Sequence, residues 1–461
     1  MALTTAELIK TDREHLIHPL HHPVDADQPL ICVSGRGSSM TDVAGREYLD
    51  GLSGLWNVNV GHGRAELAEA AATQMRTLAY CSGFVGMSNI PSIELAERLV
   101  ELAGGDMQAV FFVSTGAEAN EAAFKTVRFY WKALGRPDKV KIIARQQAYH
   151  GLTLQTMSAT GMGNAYWRMF EPRVPGFVHV PTCYPYRCQG AKPGETPGQT
   201  AARQLEEAIL REGPETIAAF IGEPIHGAGS LIFPADDYWP LVRAVCTRHD
   251  VLLIADEIIT GFCRTGRWFG MEHWNLKADI ISFAKGVTSG YQPLGGIIVT
   301  DRIKSAMDSV APGERWMHAS TYSGHPTCCA VALKNLEIME REGLAERAAT
   351  MGDRLYAGLE AAFADHPNTG EVRGGKGLLA AVELVEDRAT QANFASDRKV
   401  AARIKNEMLE RGVITRTRPA TGAHPELGDV IFFAPPLVVT EAEVDRLVDV
   451  ARKATDVVLG T

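Results

Sequence analysis

Three things are scarce in this sequence, and each shortage removes a class of function. Cysteine is sparse and scattered, eight in 461 residues with no CxxC pair, which argues against a disulfide framework and for a reducing cytoplasm. Positive charge is not in excess: 46 Lys and Arg against 55 Asp and Glu leave a formal charge of -9. There is therefore no general electrostatic reason to bind nucleic acid or an anionic membrane, and small molecules are the expected partners. Long apolar runs are missing as well, since none approaches the ~18–20 residues of a membrane span. The start, MALTTAELIKTDREHLIHPLHHP, lacks the basic stretch followed by an apolar core that marks a secretory signal.

Complete ligand sets and nucleotide fingerprints are also absent. His15, His18, His21 and His22 cluster near the start, but no acid or cysteine completes a set; solvent-facing or capping roles are expected. Cys183 and Cys188, with His179 nearby, lack a fourth ligand, so no metal is expected. Gly35-Arg36-Gly37 is not followed by the helix that a dinucleotide site needs. It reads instead as a turn within a small antiparallel meander of residues 30–50.

What is present is an ordinary globular composition, 46% hydrophobic and 22% charged over 461 residues, enough for one large and one small lobe. A helix is predicted near Thr5 to Ile17, followed by an extended Pro- and His-rich arm. Helical spacing recurs over 67–78 and 93–102. Strand and helix then alternate: strands at 109–113, 140–144 and 217–221, helices at 118–134 and 242–249, and a helix start within 151–160. Such alternation predicts a mostly parallel sheet covered on both faces. Residues 172–200, rich in Pro, Gly and Cys, read as a long excursion. After Pro326 the pattern changes to long amphipathic helices at 327–342 and 344–364, a turn at 370–375, strands at 378–384 and 430–434, and a helix at 397–411. The expected organisation is an N-terminal segment 1–60 contributing to the small domain, a large domain 61–326 and a C-terminal α+β domain 327–461.

The chain is organised around Val251–Gly290, VLLIADEIITGFCRTGRWFGMEHWNLKADIISFAKGVTSG. Two buried apolar runs end on charge, the first on Asp256 and Glu257, the second on Lys285. Ligands bind beyond the carboxyl ends of parallel strands, so an acid and an amine are delivered to one crevice. Taken singly, a strand-end lysine is most often a snorkelling surface group and a strand-end acid a helix cap. The pair has a sharper meaning. A desolvated amine becomes a nucleophile able to condense with a carbonyl, and a fixed carboxylate can keep a pyridine nitrogen protonated.

Other strand ends point the same way. Ser114-Thr115-Gly116-Ala117-Glu118 turns from a strand into a helix and offers unpaired N–H groups and a positive dipole end to a phosphate; the plainer reading is a simple N-cap. Tyr149 is either a ring that stacks on a planar cofactor or a core tyrosine with its hydroxyl satisfied. Glu223 either hydrogen-bonds within the site or caps its turn.

These residues carry a resemblance. TGAEAN at 115–120, AYHG at 148–151, EP at 223–224, ADEIITGFCRTG at 255–266, AKG at 284–286 and TYSGHP at 321–326 resemble the class III (ω-) aminotransferases, in that family's order and spacing over nearly the whole chain. The resemblance implies an α/β protein of fold type I, with a mostly parallel seven-stranded sheet between helices in the large domain. It also implies pyridoxal 5′-phosphate as cofactor and a homodimer with shared active sites, possibly paired into a tetramer.

Residue by residue, Lys285 resembles the cofactor-linked lysine and Asp256 the partner of the ring nitrogen. Ile258 resembles the apolar residue under the ring, opposite Tyr149, with His150 and Glu223 beside it. Thr115, Gly116 and Ala117 resemble the phosphate cradle, and Thr321 the hydroxyl that reaches the partner subunit's phosphate. The family often has Ser at the position of Ala117 and Val at that of Ile258. Trp56, Phe84, Tyr149 and Trp167 are expected to wall a substrate pocket beside the small Ala228. Arg416 resembles a mobile carboxylate-binding arginine, with Arg418 as the other candidate. The implied activity is transfer of an amino group from an ω-amino acid or primary amine, of the β-alanine, taurine or aryl/alkyl amine type, to pyruvate. The alternatives are an α-ketoglutarate-dependent transaminase, a family decarboxylase or aminomutase, and a non-catalytic cofactor-binding protein.

Overall fold

The computed structural model describes residues 3–20, 22, 29–84, 86–420 and 427–460. His21 and residues 23–28 of the predicted arm lie outside them. The first helix, Thr5–His15, is closed by a capping box from Thr4 to Glu7 and buries none of its residues. His18 Nε2 lies 2.8 Å from Asp12 Oδ2, so an acid does partner this histidine. The predicted meander is present as β1 (Cys32–Arg36), β2 (Ser39–Asp42) and β3 (Glu47–Asp50), paired antiparallel.

Seven strands build the central sheet: β4 (Met107–Val113), β5 (Lys141–Arg145), β6 (Phe177–Val180), β7 (Ile217–Gly222), β8 (Leu252–Asp256), β9 (Ile280–Phe283) and β10 (Gly295–Thr300), in the order β4-β10-β9-β8-β7-β5-β6. Pairing is parallel from β9 through β8, β7 and β5 to β6, and β10 runs antiparallel to both β4 and β9. Every residue of β7, β8 and β9 is buried, as expected of strands covered on both faces. The helix Gly116–Ala133 covers one face with Ala119, Ala122, Ala123, Phe124 and Val127, all fully buried. Its small side chains allow close approach, while each buried Phe or Val contributes roughly 1.5–3 kcal/mol.

The C-terminal portion holds β11 (Thr369–Arg373), β12 (Ala380–Leu384), β13 (Val413–Ile414), β14 (Arg416–Arg418) and β15 (Asp429–Phe433). An antiparallel sheet runs β11-β12-β15-β14, while β13 pairs parallel with β3 and so joins the two ends of the chain in one sheet.

The structure corrects several expectations. Residues 369–373 are strand β11, although the glycine-rich sequence reads as a turn there. The 172–200 excursion contains edge strand β6, and its Cys183 and Tyr184 are buried. β10 begins with two glycines that lower strand propensity, and pairing on both sides supplies what propensity lacks. The terminal helix Glu441–Leu459 is absent from the sequence reading. Arg416 and Arg418 lie on β14, a strand absent from the sequence reading. Among the described residues, no helix is long and apolar enough to cross a membrane.

Candidate active site

The parallel strands bring their carboxyl ends to one edge of the sheet, and a cavity of about 440 Å³ opens there. Its lining gathers Thr115, Gly116 and Ala117 from beyond β4, Tyr149 and His150 from beyond β5, and Glu223 from beyond β7. Asp256 and Ile258 come from the end of β8, and Lys285 from beyond β9. Leu55, Leu152 and Ile259 add apolar wall. A wider groove of about 620 Å³ lies between the helices Ala65–Leu78, Ile90–Ala103 and Pro326–Arg341. It holds none of this constellation.

Asp256 is fixed by three donors. Asn120 Nδ2 donates to Oδ2 at 2.8 Å, His150 Nδ1 lies 2.7 Å from the same oxygen, and the Ile258 amide donates to Oδ1 at 3.2 Å. A carboxylate accepts only, so the proton belongs on His150 Nδ1. Asn120 also donates to the His150 carbonyl at 2.9 Å, which locks the trio.

Lys285 follows β9 with φ of 46°, a left-handed conformation that a lysine keeps only where its surroundings hold it. Asn335 Nδ2 does so by donating to the carbonyls of Gly286 (2.9 Å) and Val287 (3.0 Å). Burial pushes the Lys285 amine down to about 8; Asp256 and Glu223 oppose that shift, and Arg416 adds to it. About one amine in ten is therefore unprotonated at pH 7, far more than for an ordinary lysine.

Glu223 is buried, and burial raises its carboxyl above the usual range. Both oxygens are occupied, Oε1 by the Tyr149 amide at 3.2 Å and Oε2 by the Gly227 amide at 2.7 Å. It thus pins the turn that carries Tyr149 to the loop beyond β7.

Thr115 caps the helix Gly116–Ala133, its hydroxyl accepting from the Glu118 amide at 3.2 Å. The amides of Gly116 and Ala117 have no acceptor among the described residues, as the first turn of a helix leaves them. A Cβ placed on Gly116 would come within 2.8 Å of Ile258 Cδ1, so glycine lets the helix start close over Ile258. These observations fit pyridoxal phosphate. Free amides at a positive dipole end suit its phosphate, a fixed buried carboxylate suits a protonated ring nitrogen, and a partly neutral amine suits its aldehyde.

The remaining expected residues lie elsewhere in this chain. Trp56 is 2% exposed and packs 5.8 Å from Phe432, centroid to centroid, behind the wall that its neighbour Leu55 forms. Ala228 is buried beyond Glu223. Trp167 Nε1 donates to the carbonyls of Met157 (3.1 Å) and Thr160 (3.0 Å), under the Arg173 guanidinium. Phe84 and Thr321 are exposed, outside the cavity of their own chain. Arg416 does not line the cavity but is close enough to act electrostatically on Lys285 and Tyr149. His179 Nε2 meets the Ala159 carbonyl at 3.0 Å, and Cys183 Sγ lies 3.1 Å from Arg145, so both face other partners. Sequence reasoning does not reach Asn120 as a functional residue, although a buried amide side chain in the first two turns of an alanine-rich helix face is a signal for it.

Residues 22–455 match the family described as Aminotransferase class-III. The chain is 42% identical over 462 residues to a diaminobutyrate–2-oxoglutarate transaminase of Halomonas elongata, covering 98% of this chain and 96% of that one. It is 38% identical over 454 residues to a putrescine–pyruvate aminotransferase of Pseudomonas aeruginosa, with the same coverage. An (S)-enantioselective ω-transaminase from Thermomicrobium roseum superposes with a TM-score of 0.94 at 45% identity, covering 100% of both chains.

Proposed function

The chain belongs to the class-III aminotransferases, a family of pyridoxal 5′-phosphate-dependent enzymes, and from that premise we propose that it moves an amino group from a primary amine or ω-amino acid to pyruvate, giving alanine and an aldehyde or ketone. When bound, the cofactor supplies an aldehyde that takes up amines and a ring that accepts the electron pair left by a departing proton.

The chain's own residues do the rest. Lys285 takes the proton from the amine-bearing carbon and returns one on the other side of the exchange, a task suited to an amine whose proton affinity is lowered. Asp256, held by Asn120 and His150, would present a fixed acceptor to the ring N–H. Gly116 and Ala117 would donate to its phosphate, and Ile258 and Tyr149 would supply apolar and aromatic contacts to its ring. Two half-reactions through one site make the kinetics ping-pong.

Arg416 carries the choice of acceptor. Among the described residues its guanidinium makes no hydrogen bond or ion pair, whereas Arg418 donates to Gln147 and Ser230. One available guanidinium near Lys285 suits a keto acid with one carboxylate, since such pairs form bidentately. The second reading, 2-oxoglutarate, is favoured by the Halomonas relative. For the donor, each oxygen of Glu223 accepts one backbone amide and keeps a further acceptor site toward the cavity wall it lines.

Phe84 and Thr321 are assigned to the cavity of a second copy. Tyr80, Met87, Ile90 and Tyr322 leave apolar surface exposed around them, and such a patch suits a homodimer interface. A panel of taurine, β-alanine, 4-aminobutyrate, putrescine and 1-phenylethylamine, each with pyruvate and with 2-oxoglutarate, tests the reading. Turnover of β-alanine or 1-phenylethylamine with pyruvate is expected; turnover confined to 2-oxoglutarate overturns the acceptor assignment.

A further inference from the structure

Behind the cavity, one arginine that the chemistry does not use ties its walls together. Arg418 lies two residues beyond Arg416 on β14, so both project from the same face, across from Val430 and Phe432 of β15. Its Nη2 donates to Gln147 Oε1 at 2.7 Å and its Nη1 to Ser230 Oγ at 3.1 Å. Gln147 is fully buried, two residues before Tyr149. Ser230 is fully buried, two residues after Ala228. The two loops touch, because a Cβ on Gly229 would lie 1.8 Å from the Gln147 carbonyl oxygen.

Both anchor points are held in conformations that need support. Gln147 has φ of 64° and Ser230 of 97°, which non-glycine residues adopt only when the surroundings fix them. The Ser230 carbonyl accepts from Arg373 Nη2 at 2.7 Å. Arg373 is held in turn by Glu383 (2.7 Å) and Glu371 (3.1 Å), and both Arg373 and Glu383 are buried. A continuous line of hydrogen bonds thus runs from the C-terminal sheet through Ser230 to Arg418 and on to the turn bearing Tyr149.

We propose that Arg418 is a positioning residue for keto-acid binding: anchored to Gln147 and Ser230, it fixes the strand that carries Arg416 beside the cavity. The inference rests on Arg416 as the carboxylate-binding group. A planar guanidinium supplies two donors at a fixed angle and can hold both loops at once; a lysine ammonium has the charge without that geometry. Arg416, with no partner of its own among the described residues, takes its direction from the backbone that Arg418 holds.

The test is steady-state kinetics of the cofactor-saturated enzyme for Arg416→Ala, Arg418→Lys, Ser230→Ala and the two doubles that combine Arg416→Ala with the others. The keto acid is whichever of pyruvate and 2-oxoglutarate the wild type uses better, and the donor is 1-phenylethylamine, which has no carboxylate. Arg418→Lys is expected to raise the keto-acid KM about tenfold and Ser230→Ala about threefold, with the donor KM moving less than about twofold. In the doubles, no further rise over Arg416→Ala is expected, because each acts through the same group. Effects that multiply in the doubles, or donor and acceptor KM values that shift equally, overturn the proposal. Should Arg418→Lys fail to fold, Ser230→Ala alone decides, since it removes one hydroxyl. If Arg416→Ala leaves the keto-acid KM unchanged, the reading of Arg416 fails. If Arg418→Lys then still raises it, Arg418 is itself the carboxylate ligand and the positioning role is gone.

Discussion

His150 Nδ1 lies 2.7 Å from Asp256 Oδ2, and both side chains are buried. A buried carboxylate that loses a donor is left partly unsatisfied, at a cost of about 1.5–3 kcal/mol for a charged group. His150→Ala is therefore expected to lower kcat about 10- to 100-fold, with a smaller change in either KM. Stopped-flow or steady-state rates on the purified variant check this, and an unchanged kcat removes His150 from any role in holding Asp256.

The depressed Lys285 amine makes a pH prediction for the cofactor-free protein. With its value near 8 rather than 10.5, about one amine in ten is neutral at pH 7, against about one in three thousand for an ordinary lysine. Reaction of Lys285 with an amine reagent, followed by peptide mapping, should show a midpoint near 8. The sign for stability follows from proton uptake. Between about 8 and 10.5 the unfolded chain binds a proton that the folded chain has released, so stability rises with pH across that window. Lys285→Met is expected to raise the cofactor-free Tm by about 2 °C at pH 7, with the gain vanishing near pH 10.5. A gain that is the same at both pH values contradicts the depressed amine.

How much of the site is legible in the sequence depends on distance along the chain. Asp256 and Lys285 can be read because each ends its own apolar run, and parallel strands send such ends to one edge. The Thr115–Gly116 cradle is readable for the same reason, as a local strand-to-helix turn. Asn120 and Asp256, by contrast, are 136 residues apart, and Arg418 and Gln147 are 271 apart. Periodicity marks such groups as buried without naming their partners. β14 has three residues, too few to leave a pattern. Thr321 comes from family resemblance, and Trp56, Phe84 and Trp167 from their aromatic character, which suits an ordinary core equally well; none of the four lines the cavity of its own chain.

Arg416→Ala tests the acceptor assignment directly. A charge-assisted pair contributes roughly 1.5–3 kcal/mol, so the pyruvate KM is expected to rise about tenfold or more. An amine donor that offers no carboxylate, such as 1-phenylethylamine, should keep its KM within about twofold of the wild-type value. Equal effects on both substrates would strip Arg416 of its proposed role.

Gly116 tests the phosphate cradle without touching a charged group. A methyl at this position would meet Ile258 Cδ1 at 2.8 Å and Cγ2 at 3.1 Å, so either Ile258 turns away from the ring it is proposed to support or the helix start retreats. Both moves separate the free amides of Gly116 and Ala117 from the apolar face below them. Gly116→Ala should therefore weaken cofactor binding about tenfold, read from the absorbance recovered on titrating the cofactor-free protein. Ile258→Val removes the atom that would clash most closely, so the double variant should recover part of the loss while Ile258→Val alone changes affinity little. A loss that the valine does not relieve would mean that the methyl acts on the helix start itself. Unaltered affinity in Gly116→Ala would show that the phosphate is held elsewhere.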